Sequence, residues 1–189
     1  KLAVDFRPGN YRRPDYNDQF KWMEEILQGF PGETGAMSEI RILRDFFTGL
    51  PRTKENFGLI HYDFELDNVF WDETNNCFSV IDFDDAQYHW FVMDLEQAVE
   101  SLCEEGTADN QAQAKGNFIE GYRSEFGISD EMVELMPVFR RYANLYGYVR
   151  ILRSGAETWK NEPEWMVGLR EKLTGFMKRR GELFGVKIE

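Results

Sequence analysis

Three side chains near the middle of the sequence have the types and spacing to handle a phosphate and a metal ion. Asp63 and Asn68 lie five residues apart in the segment HYDFELDN, and Asp82 follows fourteen residues after Asn68 in the run Ile81-Asp82-Phe83-Asp84-Asp85. A carboxylate and an amide oxygen are hard donors. They suit Mg²⁺, which keeps several waters and takes nucleotide phosphate oxygens as its remaining ligands. Asn68 and Asp82 are therefore the candidate metal ligands. Asp63 is the candidate catalytic residue, a carboxylate beside the metal that can hold a hydroxyl and accept its proton. Phosphoryl transfer asks for in-line positioning, neutralisation of phosphate charge and a group that orients the nucleophile. Base assistance of this kind is worth on the order of 10²–10⁴ in rate.

These residues can meet only if the chain between them folds back. Val69-Phe70-Trp71 is a short apolar run, Asp72-Glu73-Thr74-Asn75-Asn76 has turn chemistry, and residues 78–83 are rich in β-branched and aromatic side chains. That order predicts a β-hairpin, whose closing ends bring Asn68 and Asp82 together. Around it the periodicity is helical. Tyr16, Phe20, Met23, Leu27 and Phe30 recur at helical spacing before Pro31-Gly32 stops the pattern. A second helix is predicted from an N-cap at Ser38 to Leu50, just before Pro51. Further helices are expected over about 93–105, 110–126, 130–153 with Pro137 opening its second half, and 163–184, with Gly185 suited to the position after the last turn. Residues 1–14 read as an extended leading loop. The fold class is α+β, mainly helical, with one hairpin carrying the chemistry.

Composition narrows the partners. The 189 residues have 42% hydrophobic and 15% aromatic content, enough for a packed core. The net charge of −12 repels a polyphosphate backbone, so nucleic acid is not an expected partner, whereas a cationic substrate or a divalent metal is. No apolar run reaches the ~20 residues that span a bilayer, so no membrane partner is expected. Cys77 and Cys103 form no CxxC pair and no secretory signal is visible, which points to a cytoplasmic setting with both thiols as small buried hydrophobes. The sequence does not disclose the oligomeric state.

The pattern His-x-Asp-x-x-x-x-Asn, a hairpin, then Ile-Asp, resembles the catalytic loop and metal-binding segment of the aminoglycoside phosphotransferase/choline kinase family, distant relatives of the protein kinases. The resemblance implies the C-terminal lobe of a protein-kinase-like fold. It places Asp63 as catalytic aspartate and Asn68 and Asp82 as metal ligands, with Mg²⁺ as cofactor and ATP as phosphoryl donor. His61 matches a histidine that braces the loop. Met93-Asp94-Leu95 is similar to an aspartate–leucine pair whose aspartate caps a helix and supports the loop. Asn68-Val69-Phe70-Trp71 and the run 81–86 look closest to the branch of bacterial stress response kinases and type II homoserine kinases. The stretch from Arg7-Pro8 to Arg12-Arg13-Pro14 is similar to the segment just after the inter-lobe linker in bacterial members. Two positions depart from the family: Tyr62 stands where glycine is common, and Leu66-Asp67 replaces a Pro-Gly pair.

The chain shows no glycine-rich phosphate loop and no strand lysine in a Val-Ala-Ile-Lys-like context, so the ATP-gripping N-terminal lobe is expected to lie outside it, and the whole of 1–189 to be one catalytic lobe. The expected activity is ATP-dependent phosphorylation of a hydroxyl on a small molecule of aminoglycoside, choline or homoserine type. The alternative is a non-enzymatic pseudokinase or scaffold lobe. A metal-dependent hydrolase ranks last, because two histidines supply too few ligands. The remaining residues carry plainer expectations. His89 is assigned nothing, Asp84 and Asp85 are either substrate-facing or solvated turn carboxylates, and Tyr142 and Tyr146 at helical spacing are core more than a cage for a cationic amine.

Overall fold

A computed structural model describes residue 9 and residues 12–104, 108–157 and 159–188. Most of the leading loop, with Arg7-Pro8, falls outside the described residues, as does the end of the helix expected over 93–105. The elements run α1 (Tyr16–Leu27), α2 (Thr34–Gly49), β1 (Phe57–Ile60), a 3₁₀ turn (Leu66–Asn68), β2 (Val69–Asp72), β3 (Cys77–Val80), β4 (Gln87–Trp90), α3 (Val92–Glu104), α4 (Ala108–Glu125), α5 (Asp130–Glu134), α6 (Met136–Ala156) and α7 (Glu164–Gly181). They form two compact units, residues 1–16 with 51–140 and residues 17–50 with 141–189.

The first unit holds both sheets. β2 and β3 form the expected hairpin, antiparallel with Val69 opposite Val80 and Asp72 opposite Cys77. Asp72 builds its turn by accepting from the N–H groups of Thr74 (2.9 Å) and Asn75 (3.1 Å), which is how a short acidic side chain mimics a backbone turn. A second antiparallel pair, β1 with β4, sets Ile60 opposite Gln87 and Phe57 opposite Trp90. Sequence patterning missed β4 and read the chain after the hairpin as helical. Its residues Gln87 and His89 are polar yet fully buried, so no alternation marks the strand. The sheet pair packs through aromatic edges: Tyr16 lies 4.8 Å from Trp90, and His89 lies 5.6 Å from Phe139. Behind the sheet, Arg140 ion-pairs with Glu96 and Glu100 of α3, and Glu96 is all but buried. Burial pushes the Glu96 carboxyl up, against the opposing pull of Arg140.

In the second unit the apolar stripes of α1 and α2 bury as their spacing requires. Phe20, Met23, Ile40, Leu43 and Phe47 are at or near zero exposure, and Phe20 meets Tyr142 of α6 edge-on at 5.1 Å. Tyr142 is core, and its hydroxyl donates to Gln19 Oε1 at 2.7 Å. Glu39, fully buried, accepts two bonds from Arg141 at 2.7 Å each and one from the Gly185 N–H at 2.9 Å. Gly185 has φ +85, but α7 ends four residues earlier, at Gly181 with Glu182 as its C-cap, so Gly185 turns the tail after the helix instead of closing its last turn as expected.

Three local expectations are corrected. α2 begins at Thr34, one turn before Ser38, with no side-chain cap, because Ala36 is already part of the buried face. Cys77 is exposed and Cys103 half-buried, because Cys77 sits at the turn end of β3, whose residues are mostly exposed. Trp165, Leu169 and Phe176 of α7 share a face but remain exposed, and no residue of that helix is fully buried.

Candidate active site

The loop 61–68 leaves β1 and turns sharply at Tyr62, whose φ of 66 is rare for a bulky residue. The turn is held by Asp94, at the start of α3. Its carboxylate accepts from the His61 N–H at 2.9 Å and the Tyr62 N–H at 2.8 Å. Two charge-assisted bonds to consecutive amides hold a conformation that sterics oppose. Burial pushes the Asp94 carboxyl up to about 6, although the same two bonds pull it down and part of the residue still reaches solvent. Tyr122, itself pushed up to about 12 by burial, feels the Asp94 charge.

His61 ties the loop to the hairpin. Its Nε2 lies 2.8 Å from the carbonyl of Ile81, and its Nδ1 lies 3.3 Å from the Asp63 N–H. One tautomer, with the proton on Nε2, satisfies both contacts. The ring packs tilted against Phe83, with centroids 4.5 Å apart. His61 is a loop brace, as expected.

Asp63 and Asn68 come together directly. Asn68 Nδ2 donates to the Asp63 carbonyl at 2.9 Å and to Asp63 Oδ2 at 3.0 Å. With its nitrogen so engaged, the amide turns its oxygen away from Asp63, and Asp63 keeps Oδ1 without a partner among the described residues. The hairpin closes onto the same place, because the Ile81 N–H donates to the Asn68 carbonyl at 3.1 Å. Ile81 is thus bonded to both His61 and Asn68, and Asp82 is the next residue. Asp82 has φ 61, a left-handed conformation that aspartate tolerates better than most side chains. It is exposed and makes no hydrogen bond or ion pair among the described residues. All three predicted residues therefore lie on one knot of loop and hairpin, none of them buried in apolar packing.

Two further polar residues on α3 touch the loop, and sequence reading missed both. Gln97 Nε2 donates to the Tyr62 carbonyl at 2.7 Å, and Ser101 Oγ accepts from the Leu66 N–H at 3.0 Å. The available signal was their spacing from Asp94 on a largely buried helix. Asp84 and Asp85 are exposed, and the Asp84 carbonyl accepts from Arg13 at 2.8 Å.

The donor set fits a metal that is only partly held by protein. Among the described residues no group of three or more His, Cys, Asp or Glu side chains could cage an ion alone. One amide oxygen and one carboxylate without a partner instead suit a small hard cation whose other ligands are water and phosphate. No helix among the described residues is long and apolar enough to cross a membrane.

The chain has relatives among known proteins. Residues 2–127 match the phosphotransferase enzyme family. Amicoumacin kinase of Bacillus subtilis (strain 168) is 24% identical over 158 residues, which cover 79% of this chain and 44% of that protein. Among solved structures, amicoumacin kinase hAmiN in complex with AMP-PNP, Ca²⁺ and Ami superposes with a TM-score of 0.73 at 19% identity, over 95% of this chain and 54% of that one. The microcompartment-associated aminopropanol kinase gives 0.59 at 18% identity, over 96% and 56%. The chain spans about half the length of these relatives. Its mainly helical α+β architecture is theirs, a protein-kinase-like fold, and the chain belongs to the phosphotransferase enzyme family.

Proposed function

We propose that this chain is the catalytic and substrate-binding lobe of a cytoplasmic ATP- and Mg²⁺-dependent phosphotransferase that acts on a hydroxyl of a small, amine-bearing molecule. The observation that carries this reading is the Asn68 side chain. It bonds Asp63 through its nitrogen while its own backbone is bonded to Ile81, beside Asp82. Asp63 Oδ1 is free to accept a hydrogen bond from the attacking hydroxyl and to take its proton as the new bond to phosphorus forms. Asn68 Oδ1 and the Asp82 carboxylate would hold the metal, which when bound neutralises charge on the nucleotide phosphates. Asn68 also keeps Asp63 from swinging away, so the base and the ligand set share one frame. The net charge of −12 favours a cationic acceptor, and the relatives named above act on amicoumacin and aminopropanol.

On this reading the ATP-gripping lobe lies outside the chain. The test uses the full-length protein with Mg·ATP and a panel of amino alcohols, aminoglycosides, choline and homoserine. Phosphorylation of at least one acceptor is expected. Asp63→Ala should abolish transfer while nucleotide binding by calorimetry persists, and Asp82→Ala should weaken the metal-dependent part of that binding. Calorimetry showing no metal-dependent nucleotide uptake by the wild type would indicate a scaffold lobe instead.

A further inference from the structure

Helix α3 presents Asp94, Gln97 and Ser101 at i, i+3 and i+7, positions that share one face of a helix. All three bond the backbone of the loop that carries Asp63 and Asn68. Asp94 fixes the N–H groups of His61 and Tyr62. Gln97 takes the other side of the same turn, the Tyr62 carbonyl, one peptide before Asp63. Ser101 takes the Leu66 N–H, at the first residue of the 3₁₀ turn that ends in Asn68.

Among the described residues the Gln97 amide makes only this one bond. Its Oε1 is buried without a hydrogen-bond partner. A buried unsatisfied oxygen is unfavourable, and an apolar side chain of similar length would avoid it. The single bond to the Tyr62 carbonyl accounts for an amide at this position, and it holds a reversed φ that would otherwise relax.

We infer that Gln97 and Ser101 are positioning residues for phosphoryl transfer, Gln97 aiming Asp63 and Ser101 setting Asn68. This rests on the phosphotransferase reading above and divides the labour within it. Gln97 acts on the step that needs the base, and Ser101 acts on the affinity of the metal frame. Neither side chain touches the reactants.

The test compares wild type, Gln97→Met, Ser101→Ala, Ser101→Thr and Asp63→Ala in the full-length protein. ADP formation from Mg·ATP in the presence of an acceptor from the panel above that the wild type phosphorylates gives kcat, KM for ATP and the free Mg²⁺ needed for half-maximal rate, and thermal unfolding gives Tm. Gln97→Met should lower kcat about tenfold, with KM and the Mg²⁺ requirement within about twofold of wild type. Ser101→Ala should raise the Mg²⁺ requirement about fivefold yet recover kcat at saturating metal, while Ser101→Thr, which keeps the hydroxyl, should behave as wild type. Wild-type kinetics in Gln97→Met and Ser101→Ala, or losses in every parameter that track Tm, would overturn the inference. Asp63→Ala that keeps the full rate would instead overturn the phosphotransferase reading itself.

Discussion

At the scale of single residues, His89 carries the clearest consequence of burial. It is fully buried among Tyr16, Tyr62, Trp90 and Phe139, and desolvation pushes its pKa from 6.5 to about 3. Its folded form resists protonation that the unfolded chain accepts, so the unfolded state binds more protons at any pH between those values. Stability is therefore intact above pH 6.5 and falls as the pH drops towards 3, by about 1.4 kcal/mol per pH unit from this group. Replacing it by His89→Leu removes that slope. Denaturant unfolding at pH 7, 5.5 and 4 should show the variant overtaking its pH 7 deficit relative to wild type by on the order of 3–4 kcal/mol at the acid end. A constant difference across the series would mean that the imidazole is hydrated in solution.

At the scale of elements, the β2–β3 hairpin was legible because each of its signals is local. Asp72 and Asn75 make the turn by side-chain bonds three residues apart or fewer, and Val69, Trp71, Phe78 and Val80 pair across it. β4 was not legible, because its burial comes from partners distant in sequence: Pro14 bonds Tyr88, Asn56 bonds Phe91, and Tyr16 and Phe139 pack on His89. The same holds for the join of α2, α6 and the tail through Glu39. No sequence pattern pairs residues 39 and 141, yet the contact is a bidentate ion pair between a fully buried carboxylate and a nearly buried guanidinium. Breaking it strands a charge, so Glu39→Ala should cost about 3–5 kcal/mol. It should also free residues 185–186, which Glu39 and Arg141 hold, to proteolysis. The double change Glu39→Met with Arg141→Met should recover most of that loss in thermal unfolding, because no charge is then left buried.

At the scale of the whole molecule, each of the two units has its own apolar centre, and the residues proposed for chemistry all lie in the first. The relatives are about twice as long as this chain. Phosphoryl transfer depends on gripping the nucleotide as much as on the base, so the 189-residue chain alone is expected to turn over Mg·ATP at less than about one-hundredth of the full-length rate. Coupled-enzyme assay of both forms at equal concentration checks this. Comparable rates would place the nucleotide grip within these residues and refute the division into lobes.

Helix α3 has a second set of attachments besides the loop. Its Glu96 and Glu100 are clasped by Arg140 at the start of α6, and Glu96 is too deeply buried to stay ionised comfortably without that partner. The helix is therefore bonded to a guanidinium through Glu96 and Glu100 and to the loop 61–68 through Asp94, Gln97 and Ser101. Under the proposed function, loosening the Arg140 clasp would shift the rod on which the turn is hung, so exchange of Arg140 should slow turnover although Asp63, Asn68 and Asp82 are themselves unaltered.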